Sequence, residues 1–508
     1  MATGAKEVPH RGVLTVCVML ATIMQALDTT IANVALPYMM GSLSATLDQI
    51  NWVLTSYIVA AAIMTPVTGF LTARFGRKRV FLITVVGFTG ASVLCGMAAS
   101  LEQMVLFRLL QGVFGAPLVP LSQSVLLDSY PKERHGSAMA LWGVGVMVGP
   151  ILGPTLGGWL TEAYNWRWVF YINLPVGILT FLGLSAFLSE TKTLNIRLDW
   201  LGFLSLSLGI GALQMMLDRG EQLDWFSSTE ILVEAALMTL GFYIFLVQTF
   251  TAKQPFLDPR IFRDRNFAVG VLLIFLVGII LLATLALLTP YLQQLMGYPV
   301  LTAGMILAPR GMGTMVAMMI CGRLINTVDA RLLLAVGFLL SAAVLWEMSG
   351  FTPDVSQWTL IRTGVLQGAG LGFMFVPLST ITFATLAPEY RTQGTALYSL
   401  FRNIGASIGI SIVVFMLTRN TQIMHAALAE HVTPFNAALR NPAVAQFWNL
   451  GTPAGRLALN AEVTRQATII AYADDFKLMM LISLAAIPLV LLLRGAKTRG
   501  GAAEAVLE

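Results

Sequence analysis

The chain has 508 residues, 56% of them hydrophobic and 11% charged, whereas a soluble domain carries about a quarter charged residues. This balance excludes a soluble globular enzyme; apolar runs of about 20 residues, the length a helix needs to cross a bilayer, recur where a transmembrane β-barrel would show short alternating strands. The net charge of +5 is no nucleic-acid signal, because the basic residues sit in short loops between the apolar runs.

The first apolar run follows Arg11. It is too long for the apolar core of a signal peptide and lacks a small-residue cleavage site, so it is expected to remain as the first span. Further along the chain, spans are predicted at roughly 12–40, 50–72, 80–100, 103–128, 136–160, 168–188 and 199–217. They continue at roughly 229–250, 266–292, 300–325, 331–350, 358–386, 393–418 and 476–494. The expected fold class is therefore an all-α membrane protein with fourteen transmembrane helices. An even number of spans puts both termini on one side. That side then holds Lys6, Arg11, Arg74, Arg77, Lys78, Arg79, Lys132, Arg134, Lys192, Arg197 and a further ten basic residues up to Lys497 and Arg499. The opposite side holds only Arg167, Arg219, Arg419, Arg440, Arg456, Arg465 and Lys477. The positive-inside rule makes the first side cytoplasmic.

An internal repeat organises the spans. "LLQGVFGAPLVPLS" (109–122) resembles "VLQGAGLGFMFVPLS" (365–379), and "PKERHGSA" (131–138) resembles "PEYRTQGTA" (388–396). Gln111 pairs with Gln367, Pro131 with Pro388 and Gly136 with Gly394. Such duplication marks a transporter built from two six-helix halves with the path between them. The expected domains are an N-terminal half, 1–190, two inserted transmembrane helices, 191–260, and a C-terminal half, 261–508, with an outer segment at 419–475.

Few residues in the spans carry chemistry. Asp28 is a lone carboxylate in the first span; a charge there costs several kcal/mol unless it is paired, hydrated or protonated. At 1.5 Å per residue it lies ~14 Å below Pro37, and Arg108 lies ~9 Å below Glu102, so the two sit at similar depth. They read either as a proton-titrating pair facing a central cavity or as a static ion pair or a packing hydrogen bond to Thr29, Thr30 or Asn33. Glu347 lies near an outer helix end and is expected to be solvated. "GVGVMVGPILGPTLGG" (143–158) sets Gly145, Gly149, Gly153 and Gly157 on one helix face, where another helix can approach closely. Pro150 and Pro154 should bend that helix. In "GFLTARFGRKRV" (69–80), Gly69 and Gly76 suit a tight turn, and Arg74 and Arg77 are either topology determinants or a clamp between the halves. Asn33, Gln111, Arg310 and Arg362 are candidates for lining a substrate cavity, and Arg310, Arg362 and Arg402 suit an anionic group. Cys17, Cys95 and Cys321 each fall in a span and read as packing residues, and His425 and His431 as exposed rather than metal-ligating. No phosphate-binding glycine loop follows a strand and no catalytic constellation occupies a span. The expectation is a secondary transporter, not an enzyme, with no cofactor or metal and an ion gradient as its energy source.

These motifs together resemble the major facilitator superfamily, in its fourteen-span drug:proton antiporter branch. "LDTTIANVALP" matches that branch's motif in the first helix, and "FRLLQG" its motif in the fourth, whose arginine is linked to proton transfer and corresponds to Arg108. The glycine seam resembles the antiporter motif, carried over onto Gly145, Gly149, Pro150 and Gly153. The loop at 69–80 resembles the superfamily's loop motif but has Ala73 where the pattern usually has Asp, which puts an aspartate-based charge relay there in doubt. "LDRGEQLDWFSS" (217–228), "WRWVFYINLPVG" (166–177) and "MHAALAEHVTPFN" (424–436) are similar to EmrB-type inner-membrane pumps of tripartite efflux systems. The resemblance implies proton-driven export of hydrophobic or amphiphilic drugs across a bacterial inner membrane, with both termini cytoplasmic. It also implies a periplasmic adaptor and an outer-membrane channel of the TolC kind as partners. The alternatives are export of a natural metabolite, such as a fatty acid or siderophore, and a membrane sensor or scaffold that has lost transport. The outer segments 217–228 and 419–475 are the expected docking surfaces, with Trp225, Phe226, Phe435 and Trp448 as anchors. "AGRLALNAEVTRQATIIAYADDF", within the second, has an amphipathic helical pattern.

Overall fold

The computed structural model describes residues 10–494 apart from residue 192 and scattered positions between 434 and 446. Lys6, Lys192, Arg440, Lys497 and Arg499 therefore lie outside the described residues, which form helices and no strand. The N-terminal helices are α1 (Arg11–Ser42), α2 (Trp52–Met64 and Val67–Phe75, bent by 56° at the break), α3 (Arg77–Met97), α4 (Leu101–Ser129), α5 (His135–Ala163) and α6 (Trp168–Phe187). After them come α7 (Trp200–Arg219) and α8 (Thr229–Thr251). The C-terminal helices are α9 (Arg265–Leu295), α10 (Val300–Leu324), α11 (Ala330–Met348), α12 (Gln357–Ala384), α13 (Arg391–Ala429) and α14 (Pro453–Val490). Among the described residues, twelve helices are long and apolar enough to cross a membrane, and bent α2 makes a thirteenth. The fourteenth predicted span, 476–494, falls on the end of α14, whose apolar run begins only after Asp474, Asp475 and Lys477.

Hydrocarbon offers no partners for the free backbone groups at a helix end, so short polar side chains at the boundaries supply them. Asp199 accepts the Gly202 N–H at the start of α7 (3.0 Å) and also the Phe256 N–H (3.1 Å), which ties the far end of α8's following loop to α7. Asp264 accepts the Phe267 N–H (2.9 Å), Ser356 the Thr359 N–H (3.2 Å) and Thr452 the Gly455 N–H (3.1 Å).

Packing follows two sets. In the N-terminal set α1 lies along α5 and α6, and α4 between α2 and α3; in the C-terminal set α9 lies along α13, α12 between α10 and α11, and α14 against α11 and α13. The sets meet chiefly along α5 and α10, where Trp142 stacks on Phe375 of α12 at 6.0 Å. α8 packs on α7, and α7 touches one helix of each set: Asp218 accepts from Thr55 of α2, and Gln214 and the Leu217 carbonyl accept from Ser407 (3.0 Å) and Ser411 (2.7 Å) of α13.

The predicted outer segment is largely a continuation of two helices. α13 runs on to Ala429 and α14 starts at Pro453, and His425 lies 3.0 Å from Asn460 between them. The helical pattern read in 454–476 is thus observed.

Candidate functional site

Asp28 lies on the buried face of α1 with Met24, Ile31 and Ala35, while Thr29 and Asn33 look the other way. Its Oδ2 accepts from Arg108 Nη1 of α4 at 2.7 Å; its Oδ1 accepts from Gln111 Nε2 (2.8 Å) and from Asn173 Nδ2 of α6 (3.1 Å). Arg108 also donates from Nε to the Val53 carbonyl of α2 (3.0 Å) and from Nη1 to Gln111 Oε1 (2.8 Å). Its guanidinium lies 4.3 Å from the Tyr57 ring centre and 5.8 Å from that of Phe170. Asn173 donates in turn to Ser92 of α3 (3.0 Å), whose hydroxyl donates to the Phe170 carbonyl (2.9 Å). Five helices thus converge on one ion pair, and neither charged side chain has a buried polar atom left bare.

Asp28 and Arg108 meet, as their similar depths predict, but the pair does not face a cavity. Asp28 is 0% and Arg108 1% exposed, sealed inside the N-terminal helices. The reason is the aromatic and amide cover supplied by Tyr57, Phe170 and Asn173, which no local pattern announced, although Asn173 sits in the quoted "WRWVFYINLPVG". The alternative partners are not used: Thr29 donates to the Ala26 carbonyl, and Thr30 to the carbonyls of Ala26, Leu27 and Gly149.

The cavity candidates separate. Asn33 is exposed on α1, held only by its donation to the Thr29 carbonyl (3.3 Å). Gln111 is no cavity residue; it is fully buried as a partner of the ion pair. Arg362 is exposed and pairs with Glu347, and the two line an open surface depression with Trp346 on α11 and α12 rather than an interior cavity. Arg310 is buried in α10, donates from Nη2 to the Leu281 carbonyl (3.1 Å) and leaves Nη1 without a partner. Arg402 is half-buried, 5.9 Å from the Phe375 ring.

The glycine seam packs on the helix that carries Asp28. A Cβ on Gly149 would enter the Ala26 backbone, one on Gly153 the Thr30 hydroxyl, and one on Gly157 would stand 2.9 Å from Ile31 Cγ1. At Gly145 the nearest atom is the mobile Met19 Cε, at 3.2 Å. α5 runs as one helix through Pro150. Its other face meets α10, with Gly143 against Met318 and Ile151 against Gly311.

At the end bearing the basic loops the two sets are pinned together. Arg77 and Arg391 both donate to Asp128 at the end of α4. Ser124 and Thr392 hydroxyls lie 3.0 Å apart, and Thr395 donates to the Pro120 carbonyl (3.0 Å). Gly76, at φ 89°, makes the turn between α2 and α3. Glu190 caps the start of α3 through the N–H groups of Lys78 (3.0 Å) and Arg79 (3.2 Å). Gly69 makes no turn; it sits within α2, where a Cβ would stand 3.1 Å from Gln393 Cα of the other set. Arg74 donates to Asn195. At the departing position, Ala73 offers its carbonyl to the Leu194 N–H (2.7 Å), and the acid that answers Arg77 comes instead from Asp128, which the sequence reading missed.

Two sets of spanning helices, a shared α5–α10 seam and a parallel internal repeat describe a transporter fold, and residues 18–410 match the Major Facilitator Superfamily. The chain belongs to this superfamily. Among its relatives, "Fatty acid resistance protein FarB" of Neisseria gonorrhoeae is 38% identical over 491 residues, 95% of this chain and 96% of that protein. "Multidrug export protein EmrB" of Escherichia coli (strain K12) is 39% identical over 427 residues, covering 84% of this chain and 83% of that one. "Probable multidrug resistance protein EmrY" of the same strain is 34% identical over 92% of both. In fold the chain is similar to the human organic anion transporter MFSD10 (TETRAN), with a TM-score of 0.59 over 94% of this chain and 100% of that one at 15% identity. As a superfamily member it is a multi-pass membrane transporter rather than an enzyme.

Proposed function

We propose that this chain is a multidrug exporter that uses an inward flow of protons to expel hydrophobic or amphiphilic compounds across a bacterial inner membrane, with both termini in the cytoplasm. The observation that carries the reading is the sealed Asp28–Arg108 pair, at 0% and 1% exposure, in a chain similar to proteins named for multidrug export. Residues 1–190 and 261–508 act as the two moving halves, and 191–260 as an accessory pair of helices. In this reading the end closed by the pairing of Asp128 with Arg77 and Arg391 is the cytoplasmic one.

Protonation of Asp28 removes the charge that holds Arg108. The two then separate, and α1 shifts along the glycine seam of α5, which carries the α5–α10 contact between halves. The magnitudes fit this order. One charge moved through 100 mV is worth ~2.3 kcal/mol, while stripping one partner from a buried pair costs about 3–5 kcal/mol. The potential alone does not separate the pair, so the cycle needs the proton's own binding to Asp28 together with substrate binding.

The substrate passes to a periplasmic adaptor and an outer-membrane channel. The adaptor docks on 217–228 and on the ends of α13 and α14; the stretch 453–475 alone extends ~33 Å at 1.5 Å per residue. In 217–228 and in the connection between α13 and α14, Phe226, Phe435 and Phe447 are 61%, 79% and 72% exposed. Trp225 and Trp448 are half-buried, Trp225 against Phe415 at 5.7 Å, so the exposed anchors are their phenylalanine neighbours.

A second reading, export of a carboxylate such as a long-chain fatty acid, is favoured by one observation. Arg310 keeps a buried Nη1 without a partner, and a relative is named for fatty acid resistance. Everted vesicles with a pH-sensitive dye separate the two. Proton release on adding lipophilic cations supports the multidrug reading. Release only on adding long-chain carboxylates, and lost in Arg310→Gln, supports the second. No proton movement with any of a broad panel overturns both.

A further inference from the structure

Among the described residues three acids are buried: Asp28, Glu234 and Asp475. Asp475 belongs to the C-terminal set and has no counterpart of Arg108. It is 1% exposed, and neither carboxyl oxygen has a hydrogen-bond partner.

Its position on α14 explains the burial. Tyr472, Asp475, Phe476, Met479, Ser483, Ala486 and Val490 form the stripe that faces the protein core, at spacings of three and four. Asp474, one position away, is 41% exposed and accepts from Lys477 at 3.2 Å. Two adjacent aspartates therefore have opposite environments, one solvated and paired, the other dry and bare. Around the bare one stands a collar of rings. Tyr472 meets Tyr291 of α9 edge-on at 5.3 Å, Phe351 lies 6.2 Å from Tyr291 and 6.4 Å from Phe476, and the Tyr291 hydroxyl is itself without a partner.

No charge on the surrounding elements answers the carboxyl. On α14, Lys477 is held by Asp474 and Arg465 by Glu462. On α11, Glu347 pairs with Arg362 at the surface. On α13, Arg419 is exposed and Arg402 lies beside Phe375. On α9, Arg265 donates to the Leu492 carbonyl past the opposite end of α14 (2.6 Å). Arg331 of α11 is held by Asp329, which leaves Tyr291 of α9; Asp354 in the loop after α11 is an acid. An ionised carboxylate without donors in such a place is so unfavourable that the group neutralises instead, and a neutral carboxyl gains an O–H donor that an aspartate lacks.

Depth supplies the route. Val490 is the last residue of α14, and Arg494 just beyond it, whose carbonyl accepts from Asn266 (3.1 Å), marks the cytoplasmic side. Asp475 stands ~22 Å above Val490 at 1.5 Å per residue, in the outer third of ~30 Å of hydrocarbon. The solvated Asp474 and Lys477 are within the same helical turn. α14 continues beyond this point into the segment that leaves the bilayer.

We propose that Asp475 is a second proton-carrying carboxyl of this transporter, protonated in the conformation described here and exchanging its proton with the outer aqueous phase when α14 moves against α9 and α11. Its protonation stands on the geometry alone; its place in the transport cycle rests on the proton-driven reading above.

The test is infrared difference spectroscopy on the full-length protein in lipid nanodiscs, titrated from about pH 5 to pH 9, a range that spans buried carboxyls. Wild type, Asp475→Asn, Asp475→Glu and Asp28→Asn are compared, and proton:substrate ratios are measured in proteoliposomes. A protonated-carboxyl carbonyl band is expected in wild type and in Asp28→Asn, displaced in Asp475→Glu and lost in Asp475→Asn. The band should fall as pH rises, and Asp475→Asn should flatten the pH dependence of transport and lower its proton:substrate ratio. A band unchanged in Asp475→Asn overturns the protonation. A band that never responds to pH, with Asp475→Asn transporting at the wild-type ratio and pH profile, overturns the role in the cycle and leaves a fixed acid. Asp28→Asn that still transports uphill, with the Asp475 band intact, overturns the Asp28 reading and not this one.

Discussion

Replacing Asp28 by Asn removes one charge and rearranges three hydrogen bonds. The carboxylate accepts from Arg108 on one oxygen and from Gln111 and Asn173 on the other. An amide has one acceptor oxygen, so its NH2 must face either Arg108 or the two amide donors. Removing one partner of a buried pair costs about 3–5 kcal/mol. Arg108 keeps the Val53 carbonyl, Gln111 Oε1 and the face of Tyr57, and a desolvated cation–π contact contributes about 2 kcal/mol. The loss should therefore sit at the lower end, about 3 kcal/mol. Asp28→Asn is expected to insert and fold, to melt earlier, and to lose all accumulation driven by a pH gradient. Energy-independent counterflow of substrate in proteoliposomes should persist. Adding Arg108→Gln should recover most of the stability, because no unpaired charge is then buried, while uphill transport stays absent. Gradient-driven accumulation by Asp28→Asn would sink the coupling assignment, and an unaltered melting temperature would sink the account of the pair.

Other outcomes follow from the packing. Gly149→Ala should abolish transport and destabilise by about 1–3 kcal/mol, because its Cβ meets the Ala26 backbone; Gly145→Ala, facing the flexible Met19, should be close to wild type in the same assays. In a background without Cys17, Cys95 and Cys321, the pair Ser124→Cys and Thr392→Cys should crosslink and stop transport reversibly. Failure to crosslink in any condition would contradict the 3.0 Å contact. Arg391→Gln leaves Asp128 to Arg77 alone, so a cysteine at 124 should label several times faster with a membrane-impermeant thiol reagent applied from the basic side. A photo-crosslinker at Phe226 or Phe447 should capture the adaptor, whereas one at Trp225, packed on Phe415, should not. Capture from neither exposed site, with transport intact, would reduce these segments to a cap.

The amino-acid sequence by itself determined the solvent, the class and much of the topology. Long apolar runs have one stable form in hydrocarbon, a helix that satisfies its own backbone, so the spans from α1 to α12 were legible to within a few residues, while α13 runs past its predicted end at 418 to Ala429. Asp28, Arg108 and the seam from Gly145 to Gly157 stood out because a charge or a four-residue glycine period is rare in such runs. Tertiary structure decided what those residues touch. That Asp28 is sealed, that Gln111 belongs to it and that Arg362 is exposed on the outer surface depend on helix rotation, and an all-apolar helix has no polar face to fix its rotation from sequence. The acid facing Arg77 came from Asp128 on another helix, and the opposite environments of Asp474 and Asp475 follow from which side of α14 meets α9 and α11. Those are contacts between distant segments, and only the packed bundle specifies them.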